Sequence, residues 1–265
     1  MTEAAFFDLD KTLLPGSSLF PIAREMFRRR VLSAGQIARF AADQLGFIVL
    51  GTEDPKKIER AREGALEGVK GRRREEVLEL GRGIVRRELA PRFYPQALEL
   101  IARHQRLGRK VYVSSSSPED LLLLLGEDLG LDGVIGTRAK VDADGVYTGE
   151  LDGELCHRDE KARRVREVAE REGIDLAQSY AYSDSLNDLP LLEMVGNPVA
   201  TNPDRSLFAL ARRRGWPVLD FRIARRRALI ASAAGGTAAA AGGIGYAIGY
   251  AFGRSRTRRR FLLAR

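Results

Sequence analysis

Cysteine is almost absent from this chain. Cys156 is the single one among 265 residues, which excludes an intramolecular disulfide framework. Histidine is nearly as scarce. His104 and His157 are 53 positions apart and have no spacing that suggests a metal site, so neither they nor Cys156 are assigned to catalysis. The N-terminus shows no basic-then-apolar leader, because an apolar strand pattern begins at once, and a reducing cytosol is the expected compartment. Acidic side chains are missing after Asp220, where ten arginines follow. These arginines exceed the whole chain's net charge of +8, so residues 1–220 are slightly acidic and give no reason to expect a nucleic-acid partner.

What is present starts at Ala4-Ala5-Phe6-Phe7, a continuous apolar run of the kind found in buried parallel strands. It ends in Asp8-Leu9-Asp10-Lys11-Thr12, a D-x-D-x-T sequence. Ligands in open α/β sheets collect beyond the carboxyl ends of strands. Residues two apart in extended chain project to one side, so Asp8 and Asp10 can converge, and a divalent cation or a shared proton would relieve their repulsion. A second strand, Lys110–Val113, empties into Ser114-Ser115-Ser116-Ser117-Pro118. These hydroxyls and amides at a strand-to-helix turn suit an anion, or they cap a helix beginning at Glu119. A third strand, Ser179–Tyr182, leads into Ser183-Asp184-Ser185-Leu186-Asn187-Asp188, in which Asp184 and Asp188 can share a face if a helix starts at Ser185. Two strand ends that each present paired aspartates in one parallel sheet point to a hard-cation site with positions left for phosphate oxygens, which suits Mg²⁺.

Between the first two strands the pattern is helical: Leu19–Arg30, Ser33 to about Val49, a run after the cap signal Asp54-Pro55, and Arg73–Leu89. An insertion leaving from the strand ends is expected to cover them as a cap that excludes water and selects substrates. Further on, Pro95–Leu107 reads as a helix and Val134–Leu151 as a hairpin turning at Asp142–Gly145. Asp159-Glu160-Lys161 opens a charged helix running to about Glu172.

The order D-x-D-x-T, strand-Ser, Lys, then D-x-x-x-D resembles the haloacid dehalogenase (HAD) superfamily of phosphatases. The helical insertion, together with Asn197–Asp204 and Gly215–Val218, is similar to its subfamily IB, which includes phosphoserine phosphatase. The resemblance covers roughly residues 4 to 221. It implies an α/β, Rossmann-like core with a parallel sheet (1–15 and 91–221), an inserted helical cap of the C1 type (16–90) and a C-terminal tail (222–265). It further implies a Mg²⁺-dependent phosphomonoester hydrolase working through an aspartyl-phosphate. Asp8 would be the nucleophile and Asp10 the general acid and base. Asp8, Asp184 and the backbone carbonyl of Asp10 would hold Mg²⁺. Ser114, Ser115 and Lys161 would bind phosphoryl oxygens. Asp188 would orient Lys161 or support the metal's surroundings. Asn187 would reach the phosphate or support its loop, and Thr12 stands with this set and steadies the first loop. Ser183 occupies a position where the family more often has glycine. Ser17, with Ser18 beside it, stands where phosphoserine phosphatases carry a glutamate that grips the substrate's amino group. Glu25, flanked by Arg24 and Arg28, is expected on the surface of its helix.

The tail carries 26 uncharged residues, Ala228–Gly253, bracketed by arginines. As a helix they would span roughly 39 Å, more than a bilayer's hydrocarbon core. Gly245, Gly249 and Gly253 recur at the spacing that lets membrane helices pack closely, which would also permit homodimer pairing through the tail. A membrane-spanning Gly/Ala-rich helix, a peripheral association and a flexible basic-ended tail are the three readings, with the catalytic part expected in the cytoplasm at the membrane. A lipid phosphate or a small metabolite is the expected substrate class. Phosphoserine phosphatase proper, a phosphotransferase and a membrane-associated module are the alternatives.

Overall fold

A computed structural model of the chain describes residues 2–28, 35 and 66–222. Its centre is a six-stranded sheet in the order β3-β2-β1-β6-β7-β8, with every neighbouring pair parallel. The strands are β1 (Ala4–Phe7), β2 (Lys110–Pro118), β3 (Gly133–Thr137), β6 (Tyr180–Ser183), β7 (Asn197–Thr201) and β8 (Val218–Leu219). Parallel neighbours need crossovers, and helices supply them: α3 (Pro95–Arg106), α4 (Glu119–Leu129), α5 (Arg158–Glu172), α6 (Leu189–Met194) and α7 (Arg205–Arg214).

β1 shows why both faces must be covered. All four of its residues are buried, yet alternate ones belong to different cores. Ala5 and Phe7 pack with Val111, Val113 and Tyr182 against α3 and α4, while Ala4 and Phe6 pack with Tyr112 and Ala181 against α5, α6 and α7. Burying one phenylalanine ring is worth about 2–3 kcal/mol, so the period-two alternation sets the register firmly. Phe7 lies opposite Val113 on one side and Tyr182 on the other, and the ladder ends one residue later, where the Asp8 amide donates to the Tyr182 carbonyl at 2.9 Å.

β2 runs longer than its apolar residues suggest. The expected turn at Ser114–Ser117 is instead a continuation of the strand to Pro118, with a register shift against β3 between Ser114 and Pro118. α4 follows without a side-chain cap, so these serines are not spent on helix capping.

Of the segment expected as a cap, the described parts are helical. They are α1 (Leu19–Arg28), a turn at 66–69, and α2 (Arg74–Ile84), which continues through a π turn, Val85–Leu89, and a 3₁₀ turn, Ala90–Arg92. The uninterrupted helix expected over Arg73–Leu89 widens at Val85, where Val85 and Leu89 become fully buried. The helices expected from Ser33 and from Asp54-Pro55 lie outside the described residues, as does the tail. Among the described residues, no helix is long and apolar enough to cross a membrane.

The hairpin expected over Val134–Leu151 is shorter: Val134–Thr137 belongs to β3 of the central sheet, paired in parallel with β2, and only β4 (Ala139–Val141) and β5 (Tyr147–Leu151) pair antiparallel. Asp142 makes its turn, accepting from the amides of Asp144 at 3.0 Å and Val146 at 2.9 Å. The hairpin also holds the chain just ahead of α2. Gly71 N donates to Tyr147 O at 2.9 Å, and Arg74 N donates to Gly145 O at 2.8 Å.

Candidate active site

The carboxyl ends of β1 and β6 are adjacent in the sheet, and α5 crosses behind them. This arrangement brings three sequence-distant side chains together. Lys161, in the first turn of α5, donates from Nζ to Asp8 Oδ1 at 2.9 Å and to Asp188 Oδ2 at 2.9 Å. The lysine is 3% exposed, Asp8 8% and Asp188 3%, so the bridge lies in the interior. Burial alone would push the Lys161 ammonium down, but the charges of Asp188 and Asp8 outweigh it and hold the lysine above its usual range. Burial pushes Asp8 up, Lys161 pulls it back, and the negative charges of Asp188 and Asp10 add to the rise.

The β1 loop turns sharply at Lys11, whose φ of +60° is unusual for a residue with a side chain. Lys11 N closes on Gly16 O at 3.1 Å, and Asn202, in the loop after β7, donates from Nδ2 to Lys11 O at 2.7 Å. Asn202 also accepts from the Phe221 amide at 2.7 Å, which ties the first loop to the end of the compact unit. The sequence reading gave Asn202 no role, although it lies within the Asn197–Asp204 stretch. Asp10 is half-buried beside this turn, and its Oδ1 accepts from the Ser18 amide at 2.8 Å. Burial raises the Asp10 carboxyl, against the opposing effects of Ser18 and Lys11.

At the end of β6 the chain makes a 3₁₀ turn, Leu186–Asp188, capped by Ser185. Asp184 is 7% exposed, and among the described residues its carboxylate has no hydrogen bond. Burial and then the charge of Asp8 raise it. Its backbone carbonyl accepts from Asp204 N at 2.8 Å, which anchors the loop without occupying the side chain. Ser183, at the glycine-favoured position, stays in extended strand and donates from Oγ to Asp188 Oδ2 at 2.7 Å.

Three further hydroxyls are buried and lack a partner among the described residues, those of Thr12, Ser114 and Thr201. A buried hydroxyl without a hydrogen bond costs about 1–3 kcal/mol. Ser115 differs, because its Oγ accepts from the Ser117 amide at 3.2 Å. The Asn187 amide is also engaged elsewhere. Its Nδ2 donates to Ser185 Oγ at 3.1 Å and its Oδ1 accepts from Arg158 Nε at 3.1 Å. Glu25 corrects an expectation: it is 3% exposed and not a surface residue. Arg28 lies 2.8 Å away and Arg87, from the π turn, 4.0 Å away; a residue 62 positions later covers it, which helical periodicity within α1 does not reveal. Ser17 Oγ accepts from Leu19 N at 3.2 Å in a local turn at the start of α1.

Residues 5–193 match the haloacid dehalogenase-like hydrolase family. The chain belongs to this family. Among curated relatives of this hydrolase is a phosphoserine phosphatase of Mycobacterium tuberculosis, 40% identical over 243 residues, covering 92% of this chain and 79% of the relative. A solved protein of unknown function from Bordetella pertussis superposes with a TM-score of 0.73 at 30% identity, covering 83% of this chain and all of that one. A substrate-bound phosphoserine phosphatase complex shares the fold, with a TM-score of 0.57 at 21% identity over 86% of this chain and 98% of its own. The hydrolase is thus a phosphatase, with phosphoserine phosphatase-like homologues and an α/β Rossmann-like fold.

Proposed function

We propose that this phosphatase is a Mg²⁺-dependent phosphomonoester hydrolase that forms an aspartyl-phosphate on Asp8. The observation that carries the reading is the Lys161 bridge between Asp8 and Asp188, with the Ser114 hydroxyl, unpartnered among the described residues, within the neighbouring strand. In the first step an Asp8 carboxylate oxygen attacks phosphorus, the bond from phosphorus to the ester oxygen breaks, and the Asp10 carboxyl gives its proton to the departing alkoxide. In the second step water attacks the aspartyl-phosphate and gives its proton to Asp10, which releases inorganic phosphate and restores Asp8. Lys161 and Ser114 serve the phosphoryl oxygens, and Thr12 stands with them. A fixed ammonium in a buried site needs no reorganisation as charge develops on those oxygens.

The residues fit a hard cation. Asp8 and Asp184 are buried, both carboxyls are raised, and Asp184 has no hydrogen bond from a described residue to offset its charge. Among the described residues no three acidic, His or Cys side chains form a cage by themselves. This suits an ion that keeps waters and takes one or two carboxylates plus substrate oxygens. Asp8, Asp184 and the Asp10 carbonyl would hold Mg²⁺, with Asp188 supporting them through Lys161; the ion would offset charge between Asp8 and the phosphate.

The substrate is proposed to be a small or lipid-linked phosphate, chosen by a cap formed from residues 16–90. Phosphoserine itself is a second reading, favoured by the Mycobacterium tuberculosis relative and opposed by Ser17, which offers no carboxylate to grip an amino group. The uncharged run 228–253 is proposed to bring the cytoplasmic enzyme to a membrane and to allow pairing of two chains. The deciding experiment measures phosphate release with Mg²⁺ across phospho-amino acids, sugar phosphates, nucleotides and lysophospholipid phosphates. Release should occur in at least one class and vanish in Asp8→Asn; a folded protein that releases nothing, or an Asp8→Asn variant that still works, overturns the reading.

A further inference from the structure

Asp10 is held by a backbone amide whose direction depends on another pair of residues. Ser18 is the last residue before α1, and its N–H reaches Asp10 Oδ1 at 2.8 Å. Its own hydroxyl lies 3.1 Å from that of Ser117, 99 positions later in the chain. Ser18 is 0% and Ser117 1% exposed, their hydroxyls are hydrogen-bonded to each other, and the Ser18 side chain also bears directly on the Asp10 carboxyl, opposing its rise. An apolar contact would fill the same space without a directional bond; two buried hydroxyls are tolerated because they satisfy one another, and each then fixes the other's orientation.

The Ser117 end of the link is firmly anchored. Ser117 N donates to Ser115 Oγ at 3.2 Å, and Thr137 Oγ1 donates to the adjacent Ser116 carbonyl at 2.8 Å. Thr137 Oγ1 in turn accepts from Cys156 N at 3.1 Å, just ahead of the helix that carries Lys161. The shifted register that carries β2 past Ser114 is what brings Ser117 within reach of Ser18. The loop that returns from Asp10 is closed independently, by Lys11 N on Gly16 O, so the hydroxyl pair is not needed merely to form the turn.

We propose that Ser18 is a positioning residue for Asp10. Fastened to Ser117, it aims its own N–H at Asp10 Oδ1 and leaves the second carboxyl oxygen, Oδ2, to face the ester oxygen of the substrate. The proposal rests on the hydrolase reading above. It also explains why the serine-rich end of β2 continues as strand: Ser114 is left for the phosphate while Ser117 serves Asp10 through Ser18.

The test uses the dependence on leaving group. An alkoxide is a far stronger base than a nitrophenolate, so cleavage of an alkyl ester depends on a well-placed proton donor much more than cleavage of p-nitrophenyl phosphate. kcat/KM is the quantity to compare, because it reads only the steps through phosphoryl transfer to Asp8. For Ser18→Ala and for Ser117→Ala in the full-length protein, the alkyl-to-aryl ratio of kcat/KM should fall about tenfold. The double variant should fall no further than either single one, and Ser18→Thr should restore most of the ratio. An equal loss on both substrates would assign the pair a purely structural role and overturn the proposal, as would an unchanged ratio in both single variants. Should one variant fail to fold, the other reads the same ratio. Failure of the hydrolase reading is distinguishable, since it shows as an inactive wild type or an active Asp8→Asn.

Discussion

The two aspartate pairs look alike in sequence but are treated differently by the fold. In the β1 loop, Asp8 receives the Lys161 ammonium, while Asp10 is held by Ser18, through its backbone amide and its side chain. In the β6 loop, Asp188 receives the same ammonium plus the Ser183 hydroxyl, while the Asp184 carboxylate receives no hydrogen bond from a described residue. One lysine is thus divided between the pairs, and each pair keeps a carboxylate that it does not reach. The difference teaches where charge is missing. Asp8, Asp184 and Asp188 are each less than a tenth exposed, and although Lys161 bridges two of them and the charge of Lys11 bears on Asp184, the Asp8 and Asp184 carboxyls stay raised, a strain that a divalent cation and its waters would offset.

Removing the shared cation is the most severe way to break this comparison. Lys161→Met leaves Asp8 and Asp188 buried without a counter-charge. It should lower kcat by about 10²–10³-fold, as loss of a fixed electrostatic donor does, and destabilise the protein by about 3–5 kcal/mol. Steady-state kinetics with thermal or urea unfolding reads both; a stable variant with near-normal turnover would show that the bridge does not matter.

Asp184→Asn acts on the unreached member of the second pair and separates metal binding from the lysine bridge. The Mg²⁺ concentration giving half-maximal activity should rise by at least tenfold, while Lys161, Asp8 and Asp188 keep their contacts. The stability of the metal-free protein provides a milder and independent probe. Burial raises the Asp8 and Asp184 carboxyls, so the folded protein binds these protons more tightly than the unfolded chain does. Stability without metal should therefore fall as pH rises from the ordinary carboxylate value of 3.8 through those raised values. Mg²⁺ should oppose that fall, raising Tm more at pH 8 than at pH 5, and Asp184→Asn should flatten the metal-free profile. A pH-independent Tm would remove the argument that these carboxylates strain the site.

Much of this site was legible in the sequence, because strands followed by paired carboxylates leave a local pattern. Asp8, Asp184 and Asp188 stand at the ends of β1 and β6 as expected, and Lys161 arrives from the first turn of its helix. The parallel sheet was legible in its three central strands for a similar reason, since Ala4–Phe7 and Lys110–Val113 are apolar runs that only two covered faces can bury, whereas its other three strands, β3, β7 and β8, were not read as part of it. What stayed hidden depends on contacts between distant positions or on backbone groups. The Ser18 amide that holds Asp10 has no side-chain signature at all. Glu25 is buried, with Arg87, 62 positions later, 4.0 Å away, and the course of β2 through its serines accompanies its pairing with β3. Asn202 could have been suspected, because a polar residue at the end of a strand in a parallel sheet sits beside the other loops, but its partner Lys11 lies 191 positions away.

Ser183 gives the smallest expected effect and the sharpest refinement of the comparison. Asp188 Oδ2 accepts from it at 2.7 Å while Lys161 lies 2.8 Å from Oδ1 and 2.9 Å from Oδ2, so the hydroxyl helps hold the carboxylate plane against the ammonium. Glycine at this position keeps the extended backbone available but removes the donor and adds chain freedom in the unfolded state. Ser183→Gly should cost about 1–2 kcal/mol of stability, since the lost bond goes to a charged acceptor. Its effect on kcat should stay within a few-fold, because Lys161 still binds both aspartates. Ser183→Ala separates the two causes, as it removes the donor without the glycine's freedom. If Ser183→Ala is as active and as stable as wild type while Ser183→Gly is not, the hydroxyl is dispensable and the second pair is organised by Lys161 alone.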